Sequence, residues 1–226
     1  MNKTRFVFSI AVAALLVATP AMGQLLNYPY TALAPSNADG MTSIGVGWGR
    51  GLSDSSQKLN AFGAGVTRAT EMVSFGIAGA YVQEVGGPDV SEFALRGSVA
   101  YNVPMDGSVD VGIQGGIEWM SVEGTPANTT LLNFPLGVSI QGGTTAGSLA
   151  IPLWVMPRVQ FLRSSVENSS SETNTDFGAA AGVGLVAENG LGLSLSIDWL
   201  YTDDGTGADS NTSRWLFGAA IIYQLQ

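Results

Sequence analysis

The stretch VSFGIAGAYV at residues 73–82 alternates between two kinds of side chain at every second position. One face carries Val73, Phe75, Ile77, Gly79 and Tyr81, and the other carries Ser74, Gly76, Ala78 and Ala80. A period of two residues is typical of a β-strand whose two faces meet different surroundings. The stretch therefore predicts a strand with one apolar face and one face of small side chains.

Nine further segments repeat this alternation. They are residues 42–49, 59–67, 92–102, 109–119, 132–141, 149–162, 176–187, 191–201 and 214–225. A tilted strand needs about 9 to 11 residues to cross the hydrocarbon of a membrane, so most of these lengths suit a transmembrane barrel. The first two of the nine are rich in glycine, and without them eight strands remain. We predict an all-β fold, a single antiparallel transmembrane barrel of ten strands, with eight strands as the alternative.

Short and long connections alternate along the chain. Brief turns are predicted near residues 68–70, 104–107, 142–147 and 188–190, and long polar loops near 50–57, 83–90, 120–129, 164–174 and 202–213. Outer-membrane barrels have short periplasmic turns and longer external loops. Both termini are then expected on the periplasmic side.

Aromatic residues on the apolar faces provide a second indication that the barrel spans a membrane. Six of them lie where the strands meet the long loops: Trp48, Tyr81, Trp119, Phe161, Tyr201 and Trp215. Tyr101 and Tyr223 lie at the opposite ends of two strands. Such girdles mark the two interfaces of a membrane. A soluble β-sandwich or a lipocalin-like barrel, the alternative, gives no reason for this distribution.

The N-terminus is typical of a secretory signal peptide. Lys3 and Arg5 precede an apolar run at residues 6–19, and small residues follow up to Gly23. We predict a signal peptide at residues 1–23, a periplasmic lead-in at 24–40 and a barrel at 41–226. The lead-in is interpreted as a loose tail, with insertion into the lumen as the alternative. Because the apolar run is shorter than the roughly 20 residues of a spanning helix, a helical membrane protein is not expected.

Charge and cysteine content exclude some classes of partner and of binding site. Without Lys3 and Arg5, seven basic residues stand against 18 acidic ones, so nucleic acid is not an expected partner. The absence of cysteine excludes disulfides and thiolate metal sites. We expect an exported bacterial envelope protein without cofactors.

These strands, aromatic ends and the amphipathic last strand resemble the small bacterial outer-membrane barrels of the OmpA/OmpX type. The resemblance implies outer-membrane lipid and lipopolysaccharide as surroundings, and the barrel assembly machinery and periplasmic chaperones as partners. Barrels of this type usually end in an aromatic residue, whereas this chain keeps the pattern to Tyr223 and ends in Leu225 and Gln226.

Charged residues also fall on the face opposite the apolar one. The predicted lumen set is Glu92, Arg96, Asp110, Glu118, Arg158, Asp176, Asp198 and Arg214. The hairpin at 104–107 predicts Glu92 near Glu118, with Arg96 one step deeper. One interpretation is a paired network that fills a narrow barrel, because buried charges need partners. The other is a narrow water-filled channel, whose five acids against three arginines would favour cations.

Three prolines interrupt two consecutive predicted strands. Pro135, Pro152 and Pro157 each remove a backbone donor, so the strands are expected either to bulge or to pair incompletely.

No segment predicts catalysis. The chain has no histidine, the commonest triad base, and known outer-membrane proteases, phospholipases and lipid A deacylases need one. Asp203, Asp204 and Asp209 offer oxygen ligands that suit calcium, but their spacing misses the EF-hand pattern and a solvated loop is the preferred interpretation. We expect a non-enzymatic outer-membrane anchor or surface protein, acting in adhesion or envelope integrity. The alternative is a narrow, porin-like channel for cations and other small solutes.

Overall fold

The computed structural model describes residues 40–52, 59–70, 72–84, 91–103, 105, 109–122, 128–167, 171–202 and 212–225. The predicted signal peptide, the lead-in apart from Gly40, and the calcium candidates Asp203, Asp204 and Asp209 lie outside these residues. The strands are β1 (Thr42–Gly51), β2 (Leu59–Ala69), β3 (Val73–Glu84), β4 (Ser91–Val103), β5 (Val109–Val122), β6 (Thr129–Ala146), β7 (Leu149–Val166), β8 (Ser171–Ala187), β9 (Leu191–Thr202) and β10 (Thr212–Leu225).

The ten strands form one closed antiparallel barrel. Each strand pairs with its neighbours in the chain, and β1 pairs with β10 from Thr42 opposite Leu225 to Gly51 opposite Leu216. The barrel of ten strands is therefore confirmed, and the eight-strand alternative is wrong because β1 and β2 are full members of the wall. The registers give a stagger of about 12 residues around the barrel, which corresponds to strands tilted by about 40°.

The two ends of the barrel differ in their connections. Tight turns at residues 147–148 and 188–190 close the β6–β7 and β8–β9 hairpins, and we call this side the turn end and the opposite side the loop end. Gly147 and Gly190 occupy these turns with φ of 63° and 84°, a backbone conformation that glycine adopts without steric cost. Asn189 accepts a hydrogen bond at Oδ1 from the backbone N–H of Leu191, at 3.1 Å.

Strands β6, β7 and β8 are longer than the sequence pattern predicts. They contain 18, 18 and 17 residues, whereas the other strands contain 10 to 14. The predicted turn at 142–147 is strand as far as Ala146, and much of the predicted loop at 164–174 is strand as well. Polar alternation continues there beyond the apolar face, so the ends of these strands carry no hydrophobic signal.

The prolines coincide with gaps in the hydrogen-bonded ladders. Pro135 lies at a gap between β5 and β6, Pro157 at one between β6 and β7, and Pro152 at one between β7 and β8. Each gap spans two residue pairs, and the register is the same on both sides of it. Because a bulge would shift the register, incomplete pairing is the outcome at all three sites.

The polarity of the wall is the reverse of that in a soluble protein. Large apolar side chains at outward positions are exposed on all ten strands, whereas Arg96, Glu118, Arg158 and Asp198 are buried inside. An apolar exterior with a polar interior is the arrangement of a barrel that lies in a membrane.

Candidate functional site: the charged layer of the lumen

Six charged residues of the lumen come together near the loop end. They are Arg96, Glu118, Arg158, Asp176, Asp198 and Arg214, and we call them the charged layer. They occupy inward positions of β4, β5 and β7–β10, and the tilt of the strands brings them to about the same height. Three positive and three negative side chains make this layer formally neutral.

Two ion pairs anchor the layer. Arg96 Nη1 lies 3.5 Å from Glu118 Oε1, with side-chain exposures of 2% and 0%. Arg158 Nη2 lies 2.8 Å from Asp198 Oδ1, and neither side chain is exposed at all. Buried charges of this kind are tolerated because each has an opposite charge beside it.

Amide side chains each donate a hydrogen bond to one oxygen of two of the acids. Asn133 Nδ2 donates to Glu118 Oε2 at 2.6 Å, and Gln160 Nε2 donates to Asp176 Oδ2 at 3.2 Å. Asn133 is the direct neighbour of Glu118 on β6 and Gln160 that of Asp176 on β7. The sequence prediction missed both amides, although their inward parity on β6 and β7 was a usable signal.

Two members of the predicted set are not counted in the charged layer: Asp110 lies well away from it, and Glu92 lies at its border. Asp110 is the second residue of β5 and pairs with Gln141 near the turn end, and Glu92 is the second residue of β4 at the loop end. The ladder places Arg96 directly opposite Glu118, so the prediction that Glu92 lies beside Glu118 is wrong. The hairpin between β4 and β5 closes farther along the chain than the proline-containing turn suggested.

Glycines provide the space that Arg158 needs. Its cross-strand neighbours are Gly137 on β6 and Gly178 on β8. A Cβ added at Gly178 would lie 3.3 Å from Arg158 Cζ, and one added at Gly137 would lie 3.1 Å from Arg158 Cβ. These small residues therefore accommodate the arginine and do not leave open space around it.

Apolar side chains pack beside and below the charged layer. Ala61, Ala80, Val82, Ala94 and Met120 form one buried cluster, with Leu131 packed against it near the loop end. On the other side Trp154, Met156 and Ala180 form a second cluster toward the turn end. The Trp154 indole lies over Gly182, where an added Cβ would come within 2.6 Å of the ring. Charged and apolar side chains are therefore packed next to one another inside the barrel at these levels.

The outward aromatic residues form a belt near the loop end. Trp48, Phe62, Tyr81 and Phe93 are successive cross-strand neighbours from β1 to β4. The other predicted members at this end are Trp119, Phe161, Tyr201 and Trp215, while Tyr101 and Tyr223 lie near the turn end. Residues that the sequence prediction missed are Phe62, Phe93, Phe134, Phe177, Trp199 and Phe217.

Aromatic contacts are densest on β9 and β10. The rings of Trp199 and Trp215 have centroids 6.4 Å apart, and Trp199 Nε1 donates to Ser213 Oγ at 2.7 Å. Trp48 and Phe217 meet edge to face at 6.3 Å across the β1–β10 seam. Aromatic rings that combine an apolar body with a polar edge are typical of a membrane interface.

Neither a metal centre nor a spanning helix is found in the described residues. No three acidic, histidine or cysteine side chains there are grouped so that they could hold a metal ion. No helix in this part of the chain is long and apolar enough to cross a membrane.

Comparison with known proteins relates this chain to others by fold. No protein-family description and no curated protein matches the sequence. Among solved structures, the N-terminal β-barrel domain of Pseudomonas aeruginosa OprF is 10% identical, with 83% of this chain and 98% of that chain covered and a TM-score of 0.41. The Escherichia coli outer membrane protease OmpT is 8% identical, with coverages of 86% and 99% and a TM-score of 0.44. The Yersinia pestis outer membrane protein Ail is 12% identical, with coverages of 83% and 100% and a TM-score of 0.36.

Identities this low say nothing about a shared activity. The closed ladder of ten strands, the apolar exterior, the paired charges inside and the aromatic belt are properties of this chain itself. The chain is a closed barrel of ten antiparallel strands, with the apolar exterior and polar interior of a β-barrel that spans a membrane.

Proposed function

We propose that this protein is a non-enzymatic anchor whose barrel is closed to water and holds its loops at the outer-membrane surface. The loop end would face the cell exterior, with both termini in the periplasm and an N-terminal signal for export. Its loops would act in adhesion or in the integrity of the envelope. The resident partners would be membrane lipids, with periplasmic chaperones and the assembly machinery acting during biogenesis.

The observation that carries this proposal is the burial of both lumenal ion pairs. In a water-filled pore, at least one edge of each guanidinium and carboxylate would contact solvent. Here the four side chains of Arg96, Glu118, Arg158 and Asp198 are between 0% and 2% exposed. A path for water at this level would require these pairs to separate.

The charged layer itself is formally neutral, since three acids face three arginines. Selectivity for cations requires an excess of acidic groups along the pore. The inward acids Glu92, Asp110 and Glu172 are not counted in the layer, so the proposal of a closed barrel rests on the burial of the ion pairs and not on the charge of the lumen.

A non-enzymatic role is supported by composition. The chain has no histidine and no cysteine, which removes the usual general base and the usual thiolate nucleophile. The buried acids of the charged layer already face arginine or amide groups, and a general acid or base needs access to a substrate.

Single-channel recording tests the proposal. The refolded mature protein, shown to be folded by its resistance to SDS before heating, is inserted into a planar lipid bilayer. We expect no conductance steps. Stable, cation-selective steps would overturn the anchor and establish the narrow channel.

The Arg96→Ala variant adds a second measurement. In an anchor it should mainly lower the free energy of unfolding, by about 3–5 kcal/mol, because Glu118 is left as a buried charge without its partner. In a channel it should mainly change conductance or ion selectivity. Glu188→Gln, at an exposed position in the β8–β9 turn, is the matched control and should change neither property.

A further inference from the structure

Among the strand residues whose side chains are described, the outward charges are all positive. Arg50, Arg68 and Arg163 are exposed at outward positions of β1, β2 and β7. The acidic strand residues whose side chains are described all occupy inward positions: Glu92, Asp110, Glu118, Glu172, Asp176 and Asp198. The chain has 18 acidic and 9 basic residues, so a random distribution would place more acidic than basic side chains on the outward face. The observed excess of outward arginines is complementary to a negatively charged layer of lipid head groups around the barrel.

The wall around Arg163 is polar beyond the apolar band. Outward positions of β7 are apolar from Leu153 to Phe161 and become polar at Arg163 and Ser165. On β8 the change comes after Phe177, where Thr175, Thr173 and Ser171 follow toward the loop end. Arg163 therefore lies just past the border of the hydrocarbon, the depth at which lipid headgroup phosphates lie.

Three rows of outward residues build this surface across β6, β7 and β8. The row at the border is Phe134, Phe161 and Thr175, the next is Leu132, Arg163 and Thr173, and the last is Thr130, Ser165 and Ser171. We call these nine residues the Arg163 face. Arg163 Nη2 donates to Ser171 Oγ at 3.2 Å, which holds the guanidinium toward the hydroxyl-rich row.

Among the described residues, Arg50 is the other outward arginine at this end, and its surroundings differ. Arg50 is the last residue but one of β1, and β1 ends at Gly51. Its cross-strand neighbours are Phe217 and Asn60. Within the described strands, Arg50 therefore has an aromatic neighbour, and no paired rows of hydroxyl-bearing residues lie beyond it.

We propose that the Arg163 face binds a phosphorylated glycolipid of the surrounding leaflet. An acyl chain packs on Phe134 and Phe161, which are both exposed, a phosphate group contacts Arg163, and sugar hydroxyls meet Thr173, Ser165 and Ser171. The apolar groups lie below the cationic and hydroxyl groups, which matches a lipid whose acyl chains are attached to a phosphorylated sugar head group.

The chemistry of each row fits its expected ligand group. An arginine binds a phosphate through two parallel N–H groups, the geometry that makes it the preferred residue for phosphate recognition. Serine and threonine hydroxyls both donate and accept hydrogen bonds, as sugar hydroxyls do. This inference rests on the proposed membrane location, but it does not depend on whether the lumen conducts.

Lipid titration of the refolded full chain tests this proposal. The probe is a bis-phosphorylated, acylated glucosamine disaccharide in mixed detergent micelles, and bound lipid is counted by native mass spectrometry. We expect Arg163→Gln to weaken binding about tenfold, the effect of losing a hydrogen bond to a charged group. Arg50→Gln is the matched control and should retain most of the affinity. Resistance to SDS before heating shows that each variant is folded.

A second pair of measurements separates sugar from phosphate. Thr173→Ala together with Ser171→Ala should weaken binding of the glycolipid and leave binding of phosphatidylglycerol unchanged. Unchanged glycolipid binding in Arg163→Gln, or equal losses in Arg163→Gln and Arg50→Gln, would overturn the proposal. Equal affinity for phosphatidylglycerol would also overturn it, because the face would then recognise any anionic lipid.

The same preparations also separate this proposal from the anchor itself. If the barrel conducts ions but Arg163→Gln loses the glycolipid, the anchor fails and the lipid face stands. If the barrel is silent and all variants bind the glycolipid equally, the lipid face fails and the anchor stands.

Discussion

The Arg158–Asp198 pair is the most deeply buried charge interaction described in the lumen. Its two side chains are fully buried and 2.8 Å apart, and Gly137 and Gly178 flank the arginine on the neighbouring strands. Removing one partner from such a pair leaves the other as an uncompensated charge, which costs far more than the pair contributes when intact.

Asp198→Asn should therefore lower the free energy of unfolding by about 3–5 kcal/mol. The measurement is urea unfolding of the protein in lipid vesicles, followed by circular dichroism. Replacing both partners with apolar residues, as in Arg158→Met with Asp198→Leu, should recover much of the loss. A loss in Asp198→Asn no larger than in Glu188→Gln would show that the pair does not support the fold.

The contact between Gly182 and Trp154 leads to a second prediction about the effect of a single substitution. Gly182→Ala should reduce stability by about 1–3 kcal/mol, because its Cβ would meet the indole at 2.6 Å. Near-ultraviolet circular dichroism should report the displaced ring. Gly97→Ala is the control, since its Cβ would meet only Ile117 Cγ2 at an ordinary 3.7 Å. In a Trp154→Ala background the cost should largely disappear, and a persistent cost would contradict the steric explanation.

Side-chain parity along each strand was enough to assign residues to the lumen, but not to pair them. Arg96 and Glu118 were both placed inside, yet their direct contact depends on where the β4–β5 hairpin closes. A shift of that closure moves every cross-strand pair together, and parity does not detect a shift by an even number of residues.

Among the elements, β6 and β7 have the most irregular pairing, with two interrupted ladders each, and Pro157 on β7 shows the cause most clearly. Pro157 interrupts its ladder with β6, while its pairing with Ala179 on β8 is retained. Its ring is exposed on the outward face, so the side chain has no packing role inside. The cost of Pro157 is therefore concentrated in the backbone donor that it lacks.

Pro157→Val should restore this donor and stabilise the barrel by about 0.5–1.5 kcal/mol. Hydrogen exchange measured by NMR should show slower exchange for the new amide and for the amides of Val138 and Ser139. Val155→Ile changes the same face of the same strand without adding an amide and serves as the control. Equal exchange in both variants would show that the gap has a cause other than the proline.

The alternation of apolar and polar residues predicted that these strands exist, but it did not predict where β6, β7 and β8 end. Past Phe161 and Phe177, the outward residues Arg163, Thr173 and Ser171 resemble those of a polar loop. Only the pairing between strands, a property of the folded barrel, keeps these segments extended. The polar part of the Arg163 face, including Arg163, Thr173 and Ser171, lies in this region and was therefore not predicted from the sequence.

For the whole molecule, the separation of a lipid-facing surface from a packed lumen makes a spectroscopic prediction. Four of the five tryptophans, Trp48, Trp119, Trp199 and Trp215, lie on the outward belt, whereas Trp154 is buried inside. Brominated acyl chains quench only tryptophans that they can contact.

A variant that keeps only Trp215 should be strongly quenched in vesicles of brominated lipid, and one that keeps only Trp154 should be quenched weakly. The reference for each variant is the same protein in unbrominated vesicles. Equal quenching of the two variants would contradict the assignment of the faces and with it the membrane-spanning barrel.

The sequence predicted the architecture of the whole barrel better than it predicted residue pairs or strand ends. The reversal of polarity and the aromatic girdle both follow from which residues lie at odd and even positions, as in β3 and β9. Whether the lumen is filled could not be predicted, because it depends on how Arg158, Met156 and Trp154 pack across ladders that only closure of the barrel brings together.

The three proline gaps also have a mechanical consequence. They descend from near the loop end between β5 and β6, through the middle of the β6–β7 ladder, to near the turn end between β7 and β8. Each gap removes hydrogen bonds between one pair of strands at one height of the barrel. A wall with three such gaps along a diagonal should bend more easily there, although no height loses the pairing between more than one pair of strands. We therefore expect local bending of the wall to begin at these gaps and not within the continuous β1–β10 ladder, although β6, β7 and β8 are joined by more residue pairs in total.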